Sequence, residues 1–242
     1  MRDGHDTSEA IVRAVSIGGG ALFLISLGAF SAAYLHFFSV QPDPPPTSTL
    51  RPVLIDTALF SVFALHHSLF ARTGLKAFIT TLVPARLERS VYVWIASALF
   101  LLVLLAWQPV PGGLWYVGRP WSFALAAVQI VGILMTAHAA RAIDVLDLAG
   151  IRQAWPLPSS GRFELTRDGL YGVVRHPIYL GWLLIVWAPP AMTGTRLVFA
   201  VVSTIYLLVA MPFEERSLRE AIGPDYDRYR TDVRWKIVPF VH

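Results

Sequence analysis

The chain has 242 residues, 55% of them hydrophobic and only 15% charged, with a mean hydropathy of +0.55. Soluble domains carry about 25% charged residues, so this deficit, gathered into long apolar runs, points to a polytopic membrane protein. The net charge is +4 and cysteine is absent, which excludes disulfides and thiolate metal sites, and no basic stretch interleaved with aromatics suggests nucleic acid.

Six segments nearly free of charge are expected as membrane helices, at roughly 16–38, 53–71, 91–107, 121–140, 177–191 and 196–212. The start, Met1 to Arg13, lacks the basic region and cleavage site of a secretory signal, so the first run is expected to be a retained anchor. Its Gly18-Gly19-Gly20 suits close helix approach in lipid. Pro42 and Pro44 to Pro46 then stop it. The second run carries Asp56, His66 and His67. An ionisable residue inside a membrane is a functional candidate by default, with interhelical hydrogen bonding as the rival role. Neighbours on a helix point about 100° apart, so at most one of His66 and His67 faces a given site. His36 and His138 read as packing or interface residues.

The last two segments are short. Residues 177–188 make about 18 Å of helix, against a hydrocarbon core of about 30 Å. Pro189-Pro190 and the Thr193-Gly194-Thr195 turn join them into a helical hairpin whose two ends share one side. Every Lys and Arg except Arg51, Arg119 and Arg196 falls in the N-terminus, the 72–90 loop, the 141–176 segment or the tail. The positive-inside rule puts those regions in the cytoplasm. The expected fold is therefore an all-α, polytopic integral membrane bundle of five to six membrane helices ending in a helical hairpin. It forms a single domain over 1–242, with membrane helices in 1–140 and the binding half in 141–242. No internal repeat supports a transporter.

Chemistry concentrates between Leu165 and Arg230. Pro177 suits the first turn of a helix, where its missing N–H costs nothing. Arg175 and His176 then stand just before that helix and Tyr179 in its first turn, where the helix dipole adds partial positive charge. A cation, an imidazole and a phenol there can hold a carboxylate; a snorkelling interface cluster is the plainer reading. Glu214 and Glu215 follow the hairpin, at what the pattern makes a helix C-terminus, where negative charge is disfavoured and neighbouring carboxylates repel. They can take an ammonium or ribose hydroxyls, or form salt bridges with Arg216, Arg219 or Arg175. Upstream, Asp147 and Arg152 can cap or lid the site, with a surface salt bridge as the alternative.

Gly169-x-Tyr171-x-x-Val174-Arg175-His176-Pro177-x-Tyr179-x-Gly181, an apolar hairpin, and Glu214-Glu215-x-x-Leu218-x-x-x-x-Gly223-x-x-Tyr226-x-x-Tyr229 resemble the C-terminal half of the isoprenylcysteine carboxyl methyltransferase superfamily. The resemblance implies S-adenosylmethionine as cofactor, with His176, Tyr179, Leu180 and Gly181 lining its site. It also implies Glu214 and Glu215 as a second contact motif, and Tyr226 and Tyr229 shaping the covering tail. Leu65-His66-His67-Ser68-Leu69-Phe70-Ala71-Arg72, Val83-Pro84-x-x-x-Glu88-Arg89-Ser90-x-Tyr92-Val93 and Asp147-Leu148-x-Gly150-Ile151-Arg152-Gln153 resemble the bacterial membrane methanethiol S-methyltransferases.

That subfamily resemblance implies a small thiol acceptor, most simply methanethiol giving dimethyl sulfide, in the bacterial inner membrane. The partners it implies are that thiol and membrane lipid, with no metal and no obligate protein partner. His66 and His67 are then candidates for thiol deprotonation, and Arg175 joins them as a catalytic candidate. The alternatives are carboxyl O-methylation of a prenylcysteine, N-methylation of a phospholipid, and, from another class, a haem-binding NnrU-like membrane protein using His66 and His67.

Overall fold

A computed structural model describes residues 2–41, 43, 47–70, 80–154 and 165–241. Pro42 and Pro44 to Pro46 of the first turn, and Ala71 and Arg72 of the histidine motif, lie outside the described residues. The long helices are α1 (Arg2–Leu35), α2 (Leu50–Leu69), α3 (Glu88–Ala106) and α4 (Trp121–Ala142). After them come α5 (Val145–Leu148), α6 (Pro177–Trp187), α7 (Gly194–Ile222) and α8 (Pro224–Asp232). Two short strands, β1 (Gly113–Tyr116) and β2 (Ala191–Thr193), pair antiparallel with Trp115 opposite Met192.

Five stretches are long and apolar enough to cross a membrane: Glu9–Ser39, Leu50–Leu69, Ala85–Ala106, Trp121–Ala142 and Gly194–Ile222. Leu105, Leu134, Ile205 and Val209 point their side chains outward along them. Apolar surface this extensive is untenable in water and normal in lipid. The protein is an integral membrane protein with an α-helical fold, and its only described sheet is the β1–β2 pair.

Two helix limits differ from the sequence reading. The first helix begins at Arg2, because its polar start continues the turn into the apolar run. The last long helix does not stop at 212. It carries on through Pro212 to Ile222, since Glu214 to Ile222 holds strong helix formers and Pro212 costs only local hydrogen bonding. Glu214 and Glu215 therefore lie inside a helix of 29 residues, and the expected conflict with a helix C-terminus does not arise.

By contacts the chain forms two compact units, one of 1–33, 57–107 and 144–162, the other of 34–56, 108–143 and 163–242. In the first, α1 approaches α3 and the 149–151 turn through its glycines. A Cβ on Gly20 would fall 2.3 Å from Ile151 Cδ1, and one on Gly18 would fall 2.8 Å from the Trp94 ring. Ser16 and Ser90 share a hydrogen bond of 2.9 Å, and Ser90 donates to the Gly150 carbonyl at 2.8 Å. Asp144 caps α5 through the amides of Leu146 and Asp147 and pairs with Arg152, while Arg89 reaches the Asp147 carbonyl. Burial alone would raise the Asp144 pKa, but Arg152 and the two amides outweigh it and hold the carboxyl below its ordinary value. Of the two readings of Asp147 and Arg152, the salt-bridged one matches these contacts.

In the second unit, α4 and α6 cross at glycine. A Cβ on Gly181 would meet Thr136 Oγ1 at 2.3 Å and the Gly132 carbonyl at 2.7 Å, so these backbones touch as small residues allow in membranes. The Thr166 hydroxyl donates to the Ala142 carbonyl at one end of α4. β2 pairs with β1 just ahead of Trp121 at the other end. Residues 166–190 thus run the length of α4, with a 3-10 turn at Gly169–Gly172 and irregular flanks adding to the 11 residues of α6. Arg196, buried at the start of α7, satisfies the carbonyls of Tyr34, Leu35 and Ala191 and anchors the turn.

Candidate functional site

The charged cluster forms where the segment before α6 meets the middle of α7 and the tail. Backbone amides of Arg175 and His176 donate to the carbonyls of Trp235 and Lys236 at 3.0 and 2.8 Å, so the tail lies along the motif. Pro177 is at the first turn of α6 and His176 is its N-cap residue, with Tyr179 in the opening turn. One register thereby brings the imidazole and the phenol together, and their rings stack with centroids 5.0 Å apart at 19°.

The adjacent glutamates differ sharply. Glu215 is internal, its side chain only 10% exposed. Its Oε1 accepts from Arg175 Nε at 2.7 Å and lies 3.3 Å from His176 Nε2, with Arg230 Nε 3.9 Å from Oε2. Glu214 is 46% exposed; it accepts the Tyr179 hydroxyl, and its Oε2 is 3.8 Å from His176 Nδ1. Successive helical residues project about 100° apart, so one carboxylate turns inward to the cations and the other opens to solvent.

Arg175 has the structural signature of a tether. Beyond Glu215 it donates through Nη1 to the carbonyls of Val233 and Arg234 at 2.8 and 2.9 Å. An open cleft of about 460 Å3 adjoins it, lined also by Asp227, Arg230, Thr231 and Arg234. Tyr226 and Tyr229 are buried with Val233 against Leu165, Leu218 and Ile222, and the Tyr229 hydroxyl donates to the Tyr171 carbonyl at 2.8 Å. Burial pushes the phenols of Tyr171, Tyr226 and Tyr229 upward, that of Tyr229 to about 12. All three stay neutral at ordinary pH.

Several expectations change here. Gly181, expected to line the cofactor site, turns the side that a Cβ would occupy toward α4. Its lack of a side chain is explained by the helix crossing. Leu180 is half-buried in the same turn of α6. Of the three cations weighed as partners for the glutamates, only Arg175 reaches them; Arg216 pairs with Glu220 and Arg219 with Asp227. Arg230 and the 233–236 backbone join the cluster without any local signal, because their roles depend on how the tail folds back, while Tyr171 of the motif receives the Tyr229 hydroxyl on its carbonyl.

His66 and His67 belong to the first compact unit, apart from the unit holding the cluster. His66 is buried, its ring 4.2 Å from Phe70 and stacked on Tyr92 at 5.6 Å, and neither ring nitrogen has a partner among the described residues. His67 Nδ1 hydrogen-bonds the Tyr92 hydroxyl at 2.7 Å, and Arg89 lies over the Tyr92 ring.

Known proteins agree with the motifs. Methanethiol S-methyltransferase of Mycobacterium tuberculosis is 36% identical over 236 residues, covering 93% of this chain and 96% of that protein. The chain belongs to the methanethiol S-methyltransferase family. Methanethiol S-methyltransferase 2 of Bradyrhizobium diazoefficiens is 35% identical over 223 residues, 87% of this chain and 86% of its own length. A further relative of this family member, nurim of Xenopus laevis, is 37% identical over 166 residues, spanning 63% of the chain and 58% of nurim. No protein-family model and no solved structure matches the chain.

Proposed function

We infer that the protein transfers a methyl group from S-adenosylmethionine to a small thiol, with methanethiol as acceptor and dimethyl sulfide as product. The observation that carries this reading is the 35–36% identity to methanethiol S-methyltransferases along nearly the whole chain. We assign the protein to a bacterial cytoplasmic membrane, with both termini and the charged cluster on the cytoplasmic side, from the distribution of Lys and Arg.

The donor set fits a zwitterionic methyl donor. Glu214 offers an open carboxylate for its ammonium, oriented by the Tyr179 hydroxyl. The N-terminus of α6, where His176 stacks on Tyr179, offers partial positive charge for its carboxylate. When bound, the cofactor supplies an electrophilic sulfonium methyl. Arg175 and Glu215 hold the 233–236 backbone against the motif and keep the two presenting side chains in register; Arg175 is thereby a positioning residue. Tyr226 and Tyr229 give the tail its apolar anchor. Attack by a thiolate on a sulfonium disperses charge as the transition state forms, so a dry pocket burdens the ionic ground state more than the transition state. Alignment of the two sulfurs around the methyl can contribute about 7–11 kcal/mol. For the proton of the thiol we propose His66 or His67, the two ionisable residues of α2 beside Tyr92.

The test is detergent-purified protein given S-adenosylmethionine and methanethiol, with dimethyl sulfide read in the headspace by gas chromatography. Product well above a Glu214→Ala control is expected. Cofactor binding without dimethyl sulfide would overturn the acceptor and turn the search to prenylcysteine or lipid amines.

A further inference from the structure

We propose that the cytoplasm-proximal end of α7 carries a binding site for the phosphate headgroup of an anionic membrane phospholipid. A second cleft, of about 320 Å3, opens beside Glu215 and is lined by Met211, Pro212, Arg216, Arg219, Arg230 and Lys236. Four cations line it against three carboxylates, Glu215 near Arg230, Glu220 on Arg216 and Asp227 on Arg219, which leaves Lys236 as the surplus charge. A phosphate, which takes several donors at once, can draw on Lys236 and on the guanidinium donors around it.

The lipid source follows from what leads into the cleft. Val201, Ile205, Leu208, Val209 and Phe213 are exposed at helical spacing along α7, a lipid-facing stripe whose next members are Arg216 and Arg219. A ligand fitted to this surface needs apolar chains above and a phosphate below, which is the layout of a phospholipid at the bilayer edge. The cations are also held in place. Arg216 Nε engages Glu220 at 3.0 Å and Arg219 Nε engages Asp227 at 2.9 Å, and both ion pairs use Nε and leave each guanidinium its Nη donors. Arg216 is 79% exposed and Arg219 60%, so neither pair contributes much by itself; their arrangement next to Lys236 and Arg230 calls for an anion instead. Arg234 and Lys236 have no ion-pair partner among the described residues. The proposal does not depend on the acceptor assigned above; it rests on α7 being a membrane helix and on the sidedness assigned above.

Native mass spectrometry of the full chain, released from detergent after titration with phosphatidylglycerol, tests this. Saturable binding is expected, with phosphatidylcholine much weaker. Each cation near a membrane surface contributes about fivefold in lipid affinity, so Arg216→Gln with Arg219→Gln is expected to weaken phosphatidylglycerol binding roughly 25-fold. An unchanged melting temperature without lipid, and unchanged S-adenosylmethionine affinity, would separate this from a folding or cofactor defect. If the pair melts early, Arg216→Gln alone is the variant to read, with roughly fivefold expected. Equal phosphatidylglycerol affinity in variant and parent would overturn the site. Glycerol phosphate binding as tightly as the lipid would overturn the lipid source in favour of a soluble anion. Displacement of the lipid by S-adenosylmethionine would reassign the cleft to the cofactor and overturn it as well.

Discussion

His66 and His176 are both buried histidines, yet they occupy opposite surroundings. His66 lies between the rings of Phe70 and Tyr92 with both nitrogens unpartnered among the described residues. His176 stands between two carboxylates and against a phenol, each ring nitrogen within 4 Å of an oxygen. A polar group buried without a partner costs about 1–3 kcal/mol. Among the described residues His66 has no hydrogen-bond partner, whereas His176 has a carboxylate near each ring nitrogen.

Within the cluster the same contrast recurs between Glu215, locked to Arg175, and Glu214, open to solvent. Arg175→Ala should have the largest effect, since it strands Glu215 and two tail carbonyls. A loss of about 3–5 kcal/mol is expected, read as a large fall in melting temperature in detergent. A melting curve like that of the parent would mean the tail is held by something else. His66→Phe keeps the aromatic stack and removes both nitrogens. It should lower turnover about 100-fold or more with S-adenosylmethionine affinity unchanged, and unaltered turnover would leave His66 as ring filler.

The two glutamates give the next separation. Glu214→Gln should weaken S-adenosylmethionine binding about tenfold while the protein melts normally, a charge-assisted contact being stronger than a neutral one by about 1.5 kcal/mol. Glu215→Gln should show the reverse, early melting with a milder loss of binding. Calorimetric titration of both variants with the cofactor decides it, and equal profiles would erase the division between them. The smallest effect belongs to the tyrosines. Tyr229→Phe deletes one hydrogen bond to Tyr171 and should cost about 1 kcal/mol. Tyr171, Tyr226 and Tyr229 have phenol pKa values raised by folding, that of Tyr229 to about 12. Their contribution is therefore whole below about pH 10 and lost as pH rises toward 12. Melting temperature should fall between pH 10 and 11.5, less steeply in Tyr229→Phe.

Much of the local geometry of the charged cluster was legible beforehand. The motif around Arg175, His176, Pro177 and Tyr179 carries its own helix start, because proline at the first turn fixes where the helix begins and hence which way its neighbours point. The glutamates were legible as a pair but not as two different groups. Their separation depends on α7 continuing past Pro212, which turns adjacent residues to different surroundings. The packing role of Gly181 was hidden for a related reason. A glycine in a binding motif and one at a helix crossing look alike until the opposing Gly132 is seen.

By itself, the amino-acid sequence determined that the chain enters a membrane, where its apolar segments lie, and which family it joins. Those are properties of contiguous stretches, set by transfer of side chains between water and lipid and by local helix geometry. Only the tertiary structure decided that Glu215 belongs to Arg175, that the 233–236 backbone closes over the motif, and that β1 meets β2 at the far end of α4. Those contacts join residues tens of positions apart, and ion pairs and hydrogen bonds act only over a few ångströms, so their partners are chosen by how the helices pack.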